Sequence, residues 1–159
     1  MKRHRSLHPL SEHHHHVLVQ ALLVRRAAGE PAGKRAAALR AAARNFLRFW
    51  KSKGRRHFRE EEEVLLPAFA RHARLEENPA VVLMLSQHAV IRARMYDLEK
   101  ALAKKGSVEA EVQALAQLLH DHVRLEENEI FPAMEAALSE EEMRAVGPRF
   151  TRLHTSGRK

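Results

Sequence analysis

Histidine and glutamate occur in this chain at positions where the helical pattern calls for apolar side chains. Four segments have apolar residues at the spacing of three or four that marks an amphipathic helix, and each has a histidine at one inward position. In two segments a glutamate follows that histidine one turn later, so the two side chains lie about 6 Å apart on one helix face. These residues are His14, His57 with Glu61, His88, and His122 with Glu126.

Capping residues, glycines and prolines predict where the helices begin and end. No useful stretch shows the alternation of a strand, and residues 151–159 look frayed. The predicted spans are Ser11 to about Ala28, Lys34 to Pro67, Asn78 to Gly106, Ser107 to Pro132, and a short helix from Ser139 to Gly147 that Pro148 closes. The prolines at the ends of the second and fourth spans are expected to bend or end those helices.

Four amphipathic helices with short connections predict an all-α fold, an up-and-down four-helix bundle with a short C-terminal helix. The 159 residues are enough for one domain with a sizeable core. We therefore expect a single domain over residues 1–159, with the bundle at about 10–138 and the short helix and tail at 139–159.

The inward histidines and glutamates predict a metal centre. A buried carboxylate is costly unless it is paired or bound to a cation, and the inner faces carry no Lys or Arg that matches Glu61 and Glu126. Nitrogen and oxygen ligands without sulfur suit iron, manganese or zinc, and the chain contains no Cys. The two glutamates could bridge two ions, each completed by histidines from different helices.

A degenerate internal repeat supports one shared site. Residues 57–67 read HFREEEEVLLP and residues 122–132 read HVRLEENEIFP, so each His-x-x-x-Glu is followed by a proline ten residues after the histidine. Two helix hairpins related by a pseudo-twofold axis would place these motifs across one centre. His72 and Glu76 copy the spacing but lie between Pro67 and Pro79, outside the long helices, so we expect them not to bind metal.

From about Leu10 to Ala137 the chain resembles the hemerythrin family in its HHE cation-binding form. The resemblance is carried by LSEHHHHVL at 10–18, HFREEEEVLLP at 57–67, MLSQHAVIRARM at 84–95 and HVRLEENEIFP at 122–132. It implies a four-helix bundle around a non-haem di-iron centre, used for oxygen transport, for sensing oxygen, iron or nitric oxide, or for stress defence. The implied ligands are the six inward residues, with His15 as the second choice to His14 among His13, His14, His15 and His16.

The third helix departs from the pattern of the oxygen carriers in this family. Those proteins have His-x-x-x-His there, whereas Met84 precedes His88 and Arg92 follows it. This difference argues against reversible oxygen carriage, and water, Gln87 or Tyr96 could complete the site. His120 and Asp121, which flank His122, are expected at the surface or behind the ligands.

The expected function is metal-dependent binding of a small ligand, oxygen or nitric oxide, for sensing, storage or protection. We favour a binding protein over an enzyme. The first alternative is a small di-iron oxidase or peroxidase acting on peroxide. The second is a basic interaction module with a structural metal site.

Positive charge is concentrated in the first 60 residues, which carry 15 Lys and Arg against three Asp and Glu. Within them the second helix presents a basic row: Arg40, Arg44, Arg48, Lys51, Arg55 and Arg59. We interpret the row as a solvated face, with nucleic acid or another anionic partner as the alternative.

Other features bear on location and assembly. Alanine-rich segments at 36–38 and 41–43 allow close helix packing, inside the bundle or in a homodimer. The chain has no Cys, no apolar run of membrane length and no signal-peptide pattern. We therefore expect no membrane partner and a location in the reducing cytoplasm.

Overall fold

The computed structural model describes residues 3–155, and within that part of the chain there are helices and no strands. The α-helices are α1 (His8–Ala28), α2 (Ala32–Phe49), α3 (Arg55–Glu60), α4 (Leu66–Phe69), α5 (Pro79–Ala103), α6 (Glu109–Leu125), α7 (Phe131–Ala137) and α8 (Glu140–Thr155). Turns of π-helix at Trp50–Gly54 and Glu61–Leu65 join α2, α3 and α4, and a third at Glu126–Ile130 joins α6 to α7. Short 3-10 turns lie at Arg5–Leu7 and Leu75–Glu77.

Four continuous rods make up the bundle. The first rod is α1, the second runs from α2 to α4, the third is α5, and the fourth runs from α6 to α7. The first rod packs against the second and fourth, and the third also packs against the second and fourth, so the rods close a ring. The prediction of an all-α bundle is confirmed.

Two apolar clusters fill the interior of the bundle. We name them after one member each, the Trp50 cluster and the Phe131 cluster. The Trp50 cluster includes Val17, Val24, Leu39, Phe46, Trp50, Phe58, Ile91, Met95, Leu115, Leu119 and Val123. The Phe131 cluster includes Leu7, Leu10, Val64, Leu65, Phe69, Val81, Met84, Ile130, Phe131, Met143, Val146 and Phe150.

The predicted site residues lie between these clusters on every rod. In each rod a site residue stands between one residue of each cluster. The first rod has Leu10, His14 and Val17, and the second has Phe58, Glu61 and Val64. The third has Met84, His88 and Ile91, and the fourth has Val123, Glu126 and Ile130. The first and third rods meet the Phe131 cluster first, whereas the second and fourth meet the Trp50 cluster first. The rods therefore alternate in direction, as predicted.

Two of the π-helical turns precede the prolines of the repeated motif. Each turn begins at the motif glutamate, where the amide of Leu66 donates to the carbonyl of Glu61 and that of Phe131 to the carbonyl of Glu126. A proline ring clashes with the carbonyl four residues earlier in an α-helix, and the wider turn relieves that clash. The rods therefore continue past Pro67 to Phe69 and past Pro132 to Ala137, with the proline in the first turn of the following helix.

Several predicted boundaries differ from the structure. The first helix begins at His8 rather than Ser11, because Pro9 occupies a first-turn position where its missing amide costs nothing. The second begins at Ala32, close to the predicted start near Lys34, and the third ends at Ala103 rather than at Gly106.

The last helix is not short and does not close at Gly147 and Pro148. It runs through Pro148 to Thr155, so residues 151–155, which are expected from the sequence to be frayed, are helical. Residues 156–159 lie outside the described part. Met143 and Val146 before the proline and Phe150 after it are all buried in the Phe131 cluster, and this burial outweighs the cost of an internal proline, about 3 kcal/mol.

Ser11 does not cap the first helix, but the hydrogen bonds expected of Asn78, Ser107 and Ser139 are present. The side chain of Asn78 accepts hydrogen bonds from the amides of Ala80 and Val81, and the hydroxyl of Ser107 accepts one from the amide of Glu109. At the start of α8, Ser139 and Glu142 form the reciprocal bonds of a capping box.

Gly54 ends the first π-helical turn where another residue would collide with a buried ring. A Cβ there would lie 2.4 Å from Cε3 of Trp50, which packs edge-on against Phe58 with ring centroids 5.1 Å apart. We expect Gly54→Ala to lower the free energy of unfolding by about 1–3 kcal/mol. Gly33→Ala is the control, because its Cβ would meet nothing within 4 Å, and it should raise stability by about 0.5–1 kcal/mol. Urea unfolding of both variants measures this, and equal effects would contradict the packing argument.

Candidate metal centre

The six predicted ligands lie together where the two apolar clusters meet. His14, His57, Glu61, His88, His122 and Glu126 are each no more than 3% exposed. Two histidines face the glutamate of their own rod, with His57 Nε2 3.2 Å from Glu61 Oε1 and His122 Nε2 3.0 Å from Glu126 Oε1. The other two reach a glutamate on another rod, with His14 Nε2 2.9 Å from Glu126 Oε2 and His88 Nε2 3.4 Å from Glu61 Oε2.

The six side chains form two overlapping groups. One consists of His14, His57, Glu61 and Glu126, and the other of His88, His122, Glu61 and Glu126. Within each group one ligand atom from every residue lies within 4.8 Å of the others. Ligand bonds of about 2.1 Å place donors around one ion at most about 4 Å apart, so each group needs only a small adjustment to surround an ion.

The donor atoms in the middle of the site are suited to a cation. Both carboxylate oxygens of Glu61 and of Glu126 are buried without a hydrogen bond of good geometry, and so is Nε2 of His88 and of His122. Buried polar atoms normally have a partner, and leaving them without one is costly. A pair of cations would satisfy all of these lone pairs at once.

In three of the histidines Nδ1, the ring nitrogen that faces away from the centre, forms a hydrogen bond. His14 Nδ1 lies 2.7 Å from Glu127 Oε1, and His88 Nδ1 lies 2.7 Å from Glu62 Oε1. His122 Nδ1 lies 2.9 Å from the side-chain oxygen of Gln87. Ionised carboxylates and amide oxygens only accept hydrogen bonds, so Nδ1 carries a proton in both the neutral and the charged ring, and Nε2 is directed toward the centre, where it could bind a metal once deprotonated.

Sequence reasoning missed Glu62 and Glu127. Each follows a site glutamate directly and lies one residue off the inner face, but it reaches the histidine contributed by a neighbouring rod. The signal was present in the repeat, because both copies have two glutamates after the same spacing from the histidine.

Hydrogen bonds and charge set the ionisation of the cluster. Burial alone would lower the pKa of His14, but hydrogen bonds to Glu126 and Glu127 outweigh it and raise the pKa to about 10. Burial also acts to lower the pKa of His88. Hydrogen bonds to Glu126, Glu61 and Glu62 outweigh this effect and raise that pKa to about 11.

The central carboxyl groups are shifted the other way. Burial raises the pKa of Glu126, but the hydrogen bonds and charge of the surrounding histidines, His122 first, hold it well below its usual value. Without a bound ion, imidazolium groups therefore balance the two carboxylates.

Most of the remaining candidates lie away from the centre; the exception is His13, whose ring centroid is 5.4 Å from that of His57 and which could hold an ion together with His57 and Glu60. His15 is exposed and lines a groove between α1 and α6. Tyr96 is 59% exposed, and Gln87 faces the outer nitrogen of His122 instead of the carboxylates. His120 and Asp121 lie at the surface, as expected.

The His72 and Glu76 pair is also outside the centre, as predicted. His72 lies beyond the end of α4, where its Nε2 is 2.7 Å from Glu142 Oε1. Glu76 is exposed and pairs with Arg74.

The basic row makes several contacts with the chain itself. Arg40 donates to the carbonyls of Leu102, Lys104 and Gly106 at the end of α5. The other contacts are Arg48 with Asn45, Lys51 with Glu99, and Arg59 with Glu63. Four of the six side chains in the row therefore have partners within the fold, and the choice between a solvated face and an anionic partner stays a prediction.

Fold and site together define an all-α bundle with a buried imidazole and carboxylate cluster that can hold metal ions. The model of the hemerythrin HHE cation binding domain matches residues 6–134, most of the chain, and the chain belongs to this family. No curated protein and no solved structure matches the chain at a significant level. Among the described residues, none of the helices has the length and apolar character needed to span a membrane.

The pKa shifts predict how pH changes the effect of metal on stability. Without metal, the raised pKa values of His14 and His88 stabilise the fold fully below about 6.5, and this contribution is lost as pH rises toward 10. Coordinated histidines must be neutral, so metal has to displace these protons, and the stability it adds over the metal-free protein grows as pH rises from about 6.5 toward 10. Adding metal should therefore raise the melting temperature more at pH 8.5 than at pH 5.5. Melting curves with metal and with chelator measure this, and an equal or larger rise at pH 5.5 would contradict the site.

Proposed function

We propose that this protein holds two non-haem iron ions, bridged by Glu61 and Glu126, and uses them to bind oxygen or nitric oxide. One ion would be completed by His14 and His57 and the other by His88 and His122. The two overlapping groups support this assignment, because only the glutamates belong to both. The donors also suit manganese and zinc; the choice of iron follows the resemblance to di-iron members of the family.

One small cavity beside the site supports a small ligand. It has a volume of about 10 Å³, the room that one water-sized molecule needs. It reaches the site through His14, His57 and His122, and its other walls are mainly apolar: Val17, Phe46, Phe49, Trp50, Gly54, Phe58, Met95, Leu119 and Val123. Its mainly apolar walls suit a small, weakly polar molecule such as oxygen or nitric oxide, and this lining supports the proposed kind of ligand.

The surroundings favour a binding protein for small ligands. A pair of iron ions would supply redox chemistry toward oxygen or nitric oxide. The chain itself orients the imidazoles through Glu62, Glu127 and Gln87 and excludes bulk water through the two apolar clusters. Hydrogen peroxide is also small, so peroxide turnover is the alternative activity.

The shared glutamates predict an uneven loss of metal. Glu61→Ala or Glu126→Ala removes a ligand from both ions, so we expect either variant to lose both. His14→Ala and His88→Ala each remove a ligand from one ion, so each should retain at least one. Elemental analysis of the folded variants measures the ratio of metal to chain, with two ions expected for the parent protein. Loss of both ions in every variant would contradict the bridged arrangement.

Filling the cavity tests the proposed ligand. Leu119→Phe places a larger side chain in the cavity wall, whereas Leu118→Phe enlarges the adjacent residue of α6, which does not line the cavity. With iron loaded anaerobically, we expect Leu119→Phe to lower affinity for nitric oxide or oxygen at least tenfold and to keep its metal. Absorption spectra before and after gas addition measure binding. Equal binding by both variants would contradict this cavity as the ligand site, and rapid peroxide turnover would favour the alternative.

A further inference from the structure

Three side chains enclose the histidine of the third rod. His88 Nδ1 lies 2.7 Å from Glu62, and Arg92 donates to both carboxylate oxygens of Glu62 at 2.8 Å. The guanidinium of Arg92 lies 5.2 Å from the centre of the Phe58 ring. That ring stacks on His88, with centroids 3.7 Å apart and planes 12° apart, which closes a circuit of four residues. We call it the Arg92 circuit.

The histidine of the first rod has the same surroundings. His14 Nδ1 lies 2.7 Å from Glu127, and Arg3 donates to the other oxygen of that carboxylate at 2.8 Å. Arg3 lies 5.1 Å from the centre of the Phe131 ring, which stacks on His14 with centroids 5.3 Å apart and planes 10° apart. This Arg3 circuit contains the same four residue types as the Arg92 circuit, and Glu127 has the position of Glu62 in the sequence repeat, whereas the phenylalanines and arginines come from different positions.

The circuits surround the histidines of the first and third rods, which contribute no glutamate to the site. On the other two rods, His122 has a neutral partner, Gln87, and Nδ1 of His57 is buried without a hydrogen bond. His14 and His88 have no glutamate one turn later on their own helix, where Leu18 and Arg92 stand instead, and the circuits hold their rings in place.

A carboxylate that accepts the ring proton makes an imidazole a stronger electron donor at its other nitrogen. An arginine on the same carboxylate draws part of that negative charge to itself. We propose that Arg3 and Arg92 are positioning residues that lock the Nδ1 protons of His14 and His88 and limit their donor strength toward a bound metal. The second half of this statement rests on the proposed function.

The two circuits differ in how they are built. Arg92 lies one turn after His88 on the same helix and is 42% exposed. Arg3 precedes the first helix, is 19% exposed, and also binds Glu135. Substitution of Arg92 is therefore the cleaner test, because it leaves the contacts of the N-terminal segment intact.

The first test observes the ring protons of the chelator-treated protein by ¹⁵N NMR, with each circuit as the control for the other. We expect Arg92→Met to speed solvent exchange of the His88 Nδ1 proton at least tenfold and to leave that of His14 unchanged. Arg3→Met should have the reverse effect. Unchanged exchange in both variants, or equal changes at both histidines, would overturn the proposed positioning.

The second test measures the reduction potential of the iron-loaded protein. Arg92→Met should shift the potential to lower values because Glu62 keeps its full charge, whereas Glu62→Gln should shift it to higher values. Arg92→Lys, which keeps the charge, should stay close to the parent. Shifts of the same sign in Arg92→Met and Glu62→Gln would indicate a structural role only and overturn the tuning. A parent protein that binds no metal would contradict the proposed function instead, and the NMR result would still decide the positioning.

Discussion

Two carboxylates face each other in the interior of this bundle, and the rest of the structure is arranged around their charge. Burial and the negative charge of Glu126 both act to raise the pKa of Glu61, yet His57 and His88 hold it below its ordinary value. Removing one partner from such a cluster leaves an uncompensated buried charge, which is strongly destabilising. Every rod therefore contributes an imidazole at the same level, and the apolar clusters pack on either side of that level.

The two copies of the internal repeat compensate the buried carboxylates with the same residue types. In each copy, a histidine and a glutamate one turn apart supply inner donors, and the next glutamate reaches the histidine of a neighbouring rod. The glutamate also begins a π-helical turn that lets the rod pass the proline. One short sequence pattern thereby provides a central glutamate, the proposed bridging ligand, and a second glutamate that orients a histidine. It also continues the rod into the second cluster.

Periodicity predicted the four long rods and the six central residues, because a helical face can be read from spacing alone. It could not predict Glu62 and Glu127, whose roles depend on how closely the rods approach. Pro148 was taken as a helix end because local propensity ignores the burial of Phe150 beyond it. Nearness in sequence made Gln87 and Tyr96 two of the groups that could complete the site, whereas helical phase and packing direct them elsewhere.

The central claim is that Glu61 and Glu126 bridge two ions in one buried site. Anomalous diffraction from crystals of the iron-loaded protein, measured at the iron edge, tests it most directly. The account predicts two peaks per chain, about 3.5–4 Å apart, as in two-metal sites, each next to both glutamates and to one histidine pair, His14 with His57 or His88 with His122. A single peak, or peaks at surface histidines such as His15 or His72 with the centre empty, would contradict it.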